Sequence, residues 1–419
     1  MPDAVDESAV PLPPSPPVAN GADQTGVRLY NERLILFLVR RFGQLSKIEV
    51  ARMTGLSVQS TSVIMNRLQV DGLLRREAPL RGRVGQPTVP MSLDPEGAFS
   101  LGLKIGRRSC DLVLIDFCGR IRQRTHRTYA YPTPNLVMDL LAGALEPMTQ
   151  TLTPAQRRRI VGLGVASPFQ LWNWSAEIGA PAEEMDAWRS FSIEEELARL
   201  CPYRVTLCND ATSACAAEFF FGEAWRHRDF LYFFLGAFVG GGLVLDGALY
   251  PGRTGNAAAL GSMPVAAQHA GRQATSQLIA RASICQLERR VESAGSDPSS
   301  IWRTPDAWDD FGPLLDDWIE EASFALAYAA IAAISVLDVE AIVIDGAMPV
   351  AVREKLTLRV AAQVETLDRR GLSDVTIVAG AIGADARAVG GAALPLIKNF
   401  ARNSEVLFKD APIGLAASA

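Results

Sequence analysis

Hydrophobic and polar positions near the start of the chain recur with the period of short amphipathic helices. The segment NERLILFLVRRFG places Leu and Ile side chains on one face and predicts a helix that ends at Gly43. Ser46 and Glu49 follow with the spacing of a capping box, Gly55 suits a sharp turn, and Ser57 suits the cap of a further helix. Two short helices joined at a glycine predict a helix-turn-helix, whose second helix enters the major groove of DNA.

The segment after these helices, GLLRREAPLRGRVGQPTVPMSLD, predicts a strand, a basic glycine-rich tip and a second strand. This pattern is typical of the wing of a winged helix-turn-helix. The polar first turn of the second helix is expected to contact bases or phosphates, whereas the arginines are expected to position the protein on the DNA. The predicted DNA-binding residues are Lys47, Gln59, Ser60, Thr61, Ser62, Arg67, Arg81 and Arg83.

The formal charge is distributed unevenly along the chain. Eleven Lys and Arg stand against four Asp and Glu between Arg28 and Leu93, a net charge of +7, whereas the whole chain carries −5. A basic segment on an acidic body indicates a polyanionic partner for that segment alone. An ordinary three-helix unit with a solvated basic face is the alternative. The glycine turn, the polar first turn and the Arg-Gly wing together favour double-stranded DNA as the partner.

Composition favours a cytoplasmic protein without a membrane span. The 419 residues predict two or three domains, and 48% hydrophobic with 21% charged residues is ordinary for a globular protein. No run of 18 apolar residues is free of charges, and the acidic, Pro-rich start lacks the basic and apolar regions of a signal peptide. The six Cys form no CxxC pair, which favours reduced thiols.

From about Phe99 onward, β-hairpin patterns and alternating strands and helices predict an α/β fold of two mixed lobes around a cleft. Three consecutive glycines at 240–242 follow an apolar strand, as in a loop that closes on a phosphate. No Ser, Thr or Lys stands between Gly236 and Gly247 to hold a phosphoryl oxygen or a metal. We therefore expect the glycines to serve close packing of strands and helices.

Four segments of the body resemble the ROK family, the bacterial group of sugar kinases and sugar-responsive transcriptional repressors. LGLKIGRR stands at the family's first phosphate loop, LCNDATSACAAE at its sugar-site Asn-Asp block, LGAFVGGGLVLDGALYPGRTGNAAALGSMPV at its glycine-rich signature, and VIDGAM near the nucleotide base. The resemblance extends from about residue 28 to 398 and implies a two-lobed actin-like ATPase fold. The winged segment is similar to that of the repressor branch.

Most residues that the family uses for phosphoryl transfer and zinc binding are replaced. Lys104 stands at the position of the phosphate-loop Asp, and Ala237 at that of a Thr. Ala259 and Ile279 replace two sugar-binding Glu, and Ser262 replaces the His that bridges sugar and zinc. By approximate alignment, the three zinc-binding Cys are replaced by Ala270, Arg272 and Gln277. The joint loss implies that the protein is not an enzyme and holds neither a metal nor a cofactor.

Asn209 and Asp210 are retained, and the resemblance implies that they recognise hydroxyl groups of a sugar-like effector. A local role is the alternative, because Asn or Asp ahead of a helix is a favourable N-cap. For Arg107 and Arg108, in the first phosphate-loop segment, a solvated surface pair is favoured over anion binding. The predicted effector-binding residues are Asn209, Asp210, Ser167 and Ser262.

These observations predict a disordered tail at 1–26, a winged helix-turn-helix at 27–94, a ROK-like body at 98–400 and a second tail at 401–419. The body is expected to form a homodimer or homotetramer, to bind the effector between its lobes and to set the spacing of the winged domains on a palindromic operator. The predicted function is a transcriptional regulator of carbohydrate genes, acting as a repressor. A ligand-independent DNA-binding protein with a vestigial body and an ATP-dependent sugar kinase are the alternatives.

Overall fold

The computed structural model describes residues 24–79, 88–175, 179–269, 272–303 and 308–402 of the chain. The helices of the N-terminal part are α1 (Gln24–Phe42), α2 (Lys47–Thr54) and α3 (Val58–Val70). Its strands are β1 (Gln44–Leu45), β2 (Leu74–Arg76) and β3 (Met91–Leu93). The strands form an antiparallel sheet in the order β1-β3-β2, with β2 and β3 as the stem of a wing. The predicted winged helix-turn-helix is confirmed.

Short-range hydrogen bonds set the ends of α2 and α3. Ser46 Oγ accepts a hydrogen bond from the N–H of Glu49 at 3.3 Å, and the Ser46 N–H donates to the Glu49 carboxylate at 2.8 Å. Gly55 ends α2 with a left-handed φ of 73°, which disfavours any residue with a Cβ. The Ser57 hydroxyl accepts from the N–H of Ser60 at 3.0 Å and so caps α3. The predicted capping box and glycine turn are therefore confirmed.

The first lobe of the body contains one mixed sheet. Its strands are β4 (Phe99–Ile105), β5 (Ser109–Asp116), β6 (Ile121–Thr128), β7 (Ile160–Ser167) and β8 (Val205–Asn209). They lie in the order β6-β5-β4-β7-β8, with β4 to β6 antiparallel and β7 and β8 added in parallel. The accompanying helices are α4 (Pro134–Gln150), α5 (Pro154–Arg157), α6 (Ala182–Ser190) and α7 (Ile193–Leu200).

The second lobe repeats this topology. Its main strands are β9 (Phe230–Leu235), β10 (Val239–Leu245), β11 (Ala248–Leu249), β14 (Ala341–Gly346) and β15 (Thr376–Ala379). Their order is β11-β10-β9-β14-β15, again three antiparallel strands followed by two parallel ones. A separate hairpin is formed by β12 (Pro264–His269) and β13 (Arg272–Gln277). The accompanying helices are α9 (Ile279–Ala282), α10 (Ile284–Ser293), α11 (Ser300–Arg303), α12 (Gly312–Leu337) and α13 (Val350–Thr366).

Two further helices, α8 (Asp210–Phe221) and α14 (Ala386–Phe400), link the sheets of the two lobes. They pack so closely that a Cβ at Gly390 of α14 would overlap the backbone carbonyl of Ser213 on α8. Toward the first lobe, a Cβ at Gly164 of β7 would overlap the carbonyl of Gly391. The absence of side chains at these points lets backbone approach backbone, which ties the two helices to each other and to the sheet.

The three consecutive glycines lie in strand β10, not in a loop. Gly240–Gly242 pair with β9 in the antiparallel ladder. A Cβ at Gly240 would lie 2.7 Å from the Cβ of Ala211, and one at Gly242 would overlap the Cβ of Cys215 on α8. The expected role in close packing is confirmed, whereas the expected loop is wrong. The turn in this region precedes the glycines, between β9 and β10.

The winged domain and the first lobe share one hydrophobic core. Ile35 of α1 and Leu396 of α14 are fully buried in the same cluster. Arg40 of α1 is inserted into this contact, where it donates to the carbonyl of Phe117 at 2.8 Å and lies 4.2 Å from the ring centroid of Phe220. Burial lowers the pKa of Arg40 to about 10. The winged domain is therefore fixed to the body by packing, not merely joined to it by a linker.

The segment Asp309–Leu337, which includes α12, is long and apolar enough to cross a membrane by length and composition, with a mean hydropathy of 1.5. More than half of its most apolar stretch, 56%, is buried inside the protein. Trp318 and Ala322 are wholly inaccessible in the core of the second lobe. These properties are those of the central helix of a lobe, which is apolar because it is surrounded by other elements.

Candidate functional site

The first turn of α3 presents two of the predicted DNA-contacting side chains to solvent. Gln59 and Ser60 are exposed, directly after the cap at Ser57. The Ser57 hydroxyl also donates to Ser60 Oγ at 2.9 Å, so Ser60 is oriented by the cap. N-terminal residues of a recognition helix reach base edges, and a Gln amide can form two hydrogen bonds with adenine. The exposed amide of Gln59 is therefore suited to a base contact, and this contact stays a prediction.

Lys47, Ser62 and Arg67 are bonded to neighbouring side chains of the helix-turn-helix. Lys47 Nζ donates to the Ser62 hydroxyl at 3.2 Å and to Asn66 Oδ1 at 2.7 Å, which joins α2 to α3. Arg67 lies 3.7 Å from the Glu32 carboxylate and keeps 51% of its side chain exposed. The role of all three residues at DNA stays a prediction.

Thr61 is a core residue and not a DNA contact, which corrects the sequence prediction. Its accessibility is 0%, like that of Met65, and Leu68 is 2% exposed. These positions are four and three residues apart and therefore share one helical face. The prediction treated the polar first turn of α3 as a single surface. A helix turns by about 100° per residue, so neighbouring residues face different directions.

The predicted wing contacts Arg81 and Arg83 lie outside the described residues. The strands on either side are described and pair antiparallel, with Leu74 opposite Leu93. The stem of the wing is thus in place. Contact of the two arginines with DNA stays a prediction.

A cavity of about 260 Å³ lies where the end of β8, the start of α8 and the strand β10 meet. Aromatic rings and glycine backbone form part of its wall. Amide and hydroxyl groups can exchange hydrogen bonds with a hydroxylated ligand, and a few charged groups can fix its orientation. The polar and charged lining residues are Arg107, Gln170, Asn173, Asn209, Asp210, Asn256 and Ser262.

Asn209 and Asp210 have different contacts, although both line the cavity. Asn209 Oδ1 accepts from the N–H of Ala211 at 3.0 Å and of Thr212 at 3.3 Å, so Asn209 caps α8. Asp210 is 8% exposed, and its Oδ2 lies 3.2 Å from the Arg387 guanidinium. The helix-cap alternative thus applies chiefly to Asn209. Asp210 offers a fixed, partly buried carboxylate to a ligand, and this use stays a prediction.

Arg387 was not expected from the sequence. It lies in the first turn of α14, 177 residues after Asp210, and only 11% of its side chain is exposed. Its guanidinium lies 5.0 Å from the ring centroid of Phe234, which lines the cavity. The sequence feature that could have indicated Arg387 is an arginine in the otherwise Ala- and Gly-rich first half of a helix. Its partner depends on the packing of α14 on α8, which no local pattern describes.

Ser262 and Ser167 line different cavities. Ser262 lies in the short 3₁₀ helix Leu260–Ser262 and lines the same cavity as Asp210. Ser167 ends β7 opposite Asn209 in the parallel register, but it lines an adjacent cavity of about 320 Å³. The structure therefore brings three of the four predicted effector residues together and places Ser167 beside them.

Three of the residues that replace kinase residues, Lys104, Ala259 and Ile279, are apolar or already bonded. Ala259 and Ile279 line the cavity without offering a polar group. Lys104 Nζ lies 2.8 Å from both Ser109 Oγ and Asp111 Oδ2, and burial lowers the pKa of Lys104. Lys104 thus forms a structural ion pair. Within the described ranges, no group of three or more His, Cys, Asp and Glu could hold a metal ion.

Arg107 and Arg108, predicted as a solvated pair, point to different environments. Arg107 is partly buried, lines the cavity and lies 4.2 Å from the ring centroid of Phe238. Arg108 is exposed and donates to the carbonyl of Ala130 at 2.5 Å. The surface-pair prediction is therefore wrong for Arg107, because the turn between β4 and β5 places Arg107 at the cavity and leaves only Arg108 exposed.

Backbone strain is concentrated at the cavity. Four described residues other than glycine have a positive φ, and two of them, Gln170 at 50° and Ala258 at 54°, line this cavity. A left-handed backbone costs a residue with a Cβ about 1–2 kcal/mol. Such strain persists where the surrounding structure enforces it, which is typical of ligand sites.

Known proteins share both parts of this architecture. A sequence model of the ROK family matches residues 100–398, and one of the MarR family matches residues 30–83. The chain is 25% identical over 378 residues to the uncharacterized protein y4fQ of Sinorhizobium fredii, covering 88% of this chain and 91% of that protein. It is 22% identical over 244 residues to the xylose repressor of Bacillus subtilis, covering 58% of this chain and 62% of the repressor.

Solved structures show the same fold. A ROK family transcriptional regulator, a homologue of the Escherichia coli MLC protein, matches with a TM-score of 0.62 and 19% identity over 91% of this chain and 98% of that one. A ROK family glucokinase from Streptomyces griseus matches with a TM-score of 0.56 and 20% identity over 71% of this chain and 99% of that one. Since the ROK model covers most of the chain, the protein belongs to the ROK family.

Proposed function

We propose that this protein is a DNA-binding transcriptional repressor whose affinity for DNA is set by a sugar or sugar derivative bound in the cavity. The observation that carries the proposal is a single helix, α14, whose Arg387 pairs with the cavity-lining Asp210 at one end and which packs against the winged domain at the other. One of its relatives is the xylose repressor of Bacillus subtilis, and this similarity supports the same function. The carbohydrate link and the sign of regulation come from that likeness.

The contacts at the two ends of α14 are specific. In the first turn, Arg387 pairs with Asp210 at the cavity wall. Near the last turn, the Arg33 side chain of α1 donates to the carbonyls of Lys398 at 3.3 Å and Ala401 at 3.4 Å. A cation is favourable at these carbonyls because they carry the negative end of the helix dipole. The 15 residues of α14 span about 22 Å.

A ligand would act through this helix by preferring one arrangement of the lobes. The shift it causes equals its differential affinity for the two arrangements. A hydroxylated ligand that binds Asp210 either competes with the Asp210–Arg387 ion pair or reinforces it. If α14 is displaced as a result, the winged domain that packs against it moves as well. In a cytoplasmic homodimer or homotetramer, the distance between two winged domains would then no longer match the distance between the half-sites of a palindromic operator.

Replacing Gln59 with Ala is expected to change sequence preference while leaving binding to unrelated DNA unchanged. The loss of a two-bond contact to adenine lowers discrimination at one base pair by about 1–3 kcal/mol, or roughly 5- to 150-fold. The measurement compares the sequences of the duplexes that the full chain and Gln59→Ala each select at one salt concentration. Gln69→Ala, in the last turn of the same helix, is the matched control and should keep the wild-type preference.

Unchanged preferences in Gln59→Ala, or an equal change in Gln69→Ala, would remove α3 as the reading helix. A separate experiment with the preferred duplex identifies the ligand. The protein is mixed with each member of a sugar panel, and we expect some sugars to release it from the duplex and to raise its melting temperature. If DNA binding persists and no sugar changes either property, the ligand-independent alternative becomes the better function.

We expect no sugar-dependent consumption of ATP. The reason is that Lys104, tied to Asp111, supplies a cation where phosphoryl transfer needs a carboxylate to hold Mg²⁺. A coupled assay with a panel of hexoses and a known sugar kinase in parallel measures this. Turnover that is abolished by Asp210→Asn would establish a kinase and contradict the proposal.

A further inference from the structure

An exposed valine lies on the outer face of helix α3. Val63 is 63% exposed, although Thr61 and Met65 of the same helix are completely buried. A helix turns by about 100° per residue, so Val63 lies about 200° from Thr61, on the side of α3 that faces away from the core. Gln59, four residues earlier, shares this outer face. The two side chains are therefore neighbours on the surface that would enter the major groove of DNA.

The polar side chains beside Val63 are already bonded within the helix-turn-helix. The hydroxyl of Ser62 and the side-chain oxygen of Asn66 both accept hydrogen bonds from Lys47. The side chain of Val63 has two methyl groups and no polar group, so it can bond neither to a phosphate nor to the donors and acceptors of a base edge. The contact that Val63 can make with DNA is therefore an apolar one.

Thymine is the base that presents an apolar group in the major groove. Its C5-methyl group projects there, whereas the edges of the other three bases offer hydrogen-bond donors and acceptors. Contact between this methyl group and a valine removes apolar surface of both partners from water. Single exposed apolar side chains are common on protein surfaces, and Val63 differs from them by its position beside Gln59 on the outer face of α3.

We propose that Val63 recognises a thymine through the C5-methyl group of that base and so determines DNA sequence specificity together with Gln59. The proposal rests on the DNA-binding function proposed above and names one base that the protein selects. Four residues of an α-helix span about 6 Å, and successive base pairs are about 3.4 Å apart. The thymine is therefore expected about two base pairs from the base at Gln59.

The test uses 2′-deoxyuridine, which pairs like thymidine and lacks the methyl group. In the duplex that the full chain prefers, each thymidine is replaced singly, and affinity is measured at one salt concentration. Loss of the methyl group at one position of a half-site should weaken wild-type binding about 3- to 10-fold, the range for a buried methyl group. Val63→Ala should bind the two duplexes equally. Because Val63 is exposed, this variant should melt like the wild type.

Val70→Ala is the matched control. Val70 is 85% exposed and lies seven residues after Val63 on the same face, at the end of α3 remote from its first turn. This variant should keep the wild-type response to removal of the methyl group. The inference would be overturned if no thymine methyl group affected wild-type binding, or if the effect persisted in Val63→Ala or was lost equally in Val70→Ala. Each of these outcomes leaves the DNA-binding function intact, whereas absence of binding to every duplex would count against both.

Discussion

Replacing Asp210 with Ala is expected to weaken effector binding about 10- to 150-fold. The carboxylate lies in the cavity wall and is 8% exposed, so a ligand hydroxyl that bonds to it is shielded from water. A buried hydrogen bond to a charged group contributes roughly 1.5–3 kcal/mol, which sets this range. The measurement is calorimetric titration with the ligand that releases the protein from DNA.

The substitution also separates Arg387 from its partner, so stability must be measured alongside affinity. Breaking a buried ion pair by removing one partner costs roughly 3–5 kcal/mol. Asp111→Ala is a matched control, because Asp111 is 8% exposed on its side chain and pairs with Lys104 outside the cavity. Both variants should melt earlier, but Asp111→Ala should keep its affinity for the effector. Equal affinities of wild type and Asp210→Ala for the effector would restrict Asp210 to a structural role.

Replacing Gly390 with Ala should destabilise the protein by roughly 3 kcal/mol or more, because the added Cβ overlaps backbone and not a movable side chain. The atom it meets is the carbonyl oxygen of Ser213 on α8. One of the two helices must move. Helix α8 lines the cavity, and α14 pairs through Arg387 with the lining residue Asp210. We therefore expect weaker coupling between effector and DNA as well as a lower melting temperature.

Gly143→Ala provides the matched comparison within the same chain. Gly143 lies in helix α4 and is exposed, and an added methyl group there would have no neighbouring atom within 4 Å. Ala is favoured over Gly in a helix interior by about 0.8–1 kcal/mol, so this variant should melt at the same or a higher temperature. A Gly390→Ala protein that melts like Gly143→Ala would show that α8 and α14 are not packed backbone to backbone.

The candidate site was predictable where its residues belong to local motifs. Asn209, Asp210 and Ser262 were found because each lies in a segment that resembles the family, and all three line one cavity. The polar composition of the first turn of α3 predicts an exposed Thr61, but the helical period places this residue on the buried face of the helix. Arg387 could not be found, since it lies 177 residues from Asp210 and reaches it only through the packing of two helices.

The sequence by itself determined the parts of this protein that depend on neighbours a few residues away. The capping box at Ser46, the left-handed turn at Gly55 and the hairpin after Phe99 follow from hydrogen bonds and backbone preferences within a short stretch. The tertiary structure alone decided that Arg107 lines the cavity while Arg108 is exposed, and that Arg40 lies partly buried between the winged domain and the body. These outcomes depend on contacts between distant segments, because a side chain's exposure and charge partner are set by whatever element packs against it.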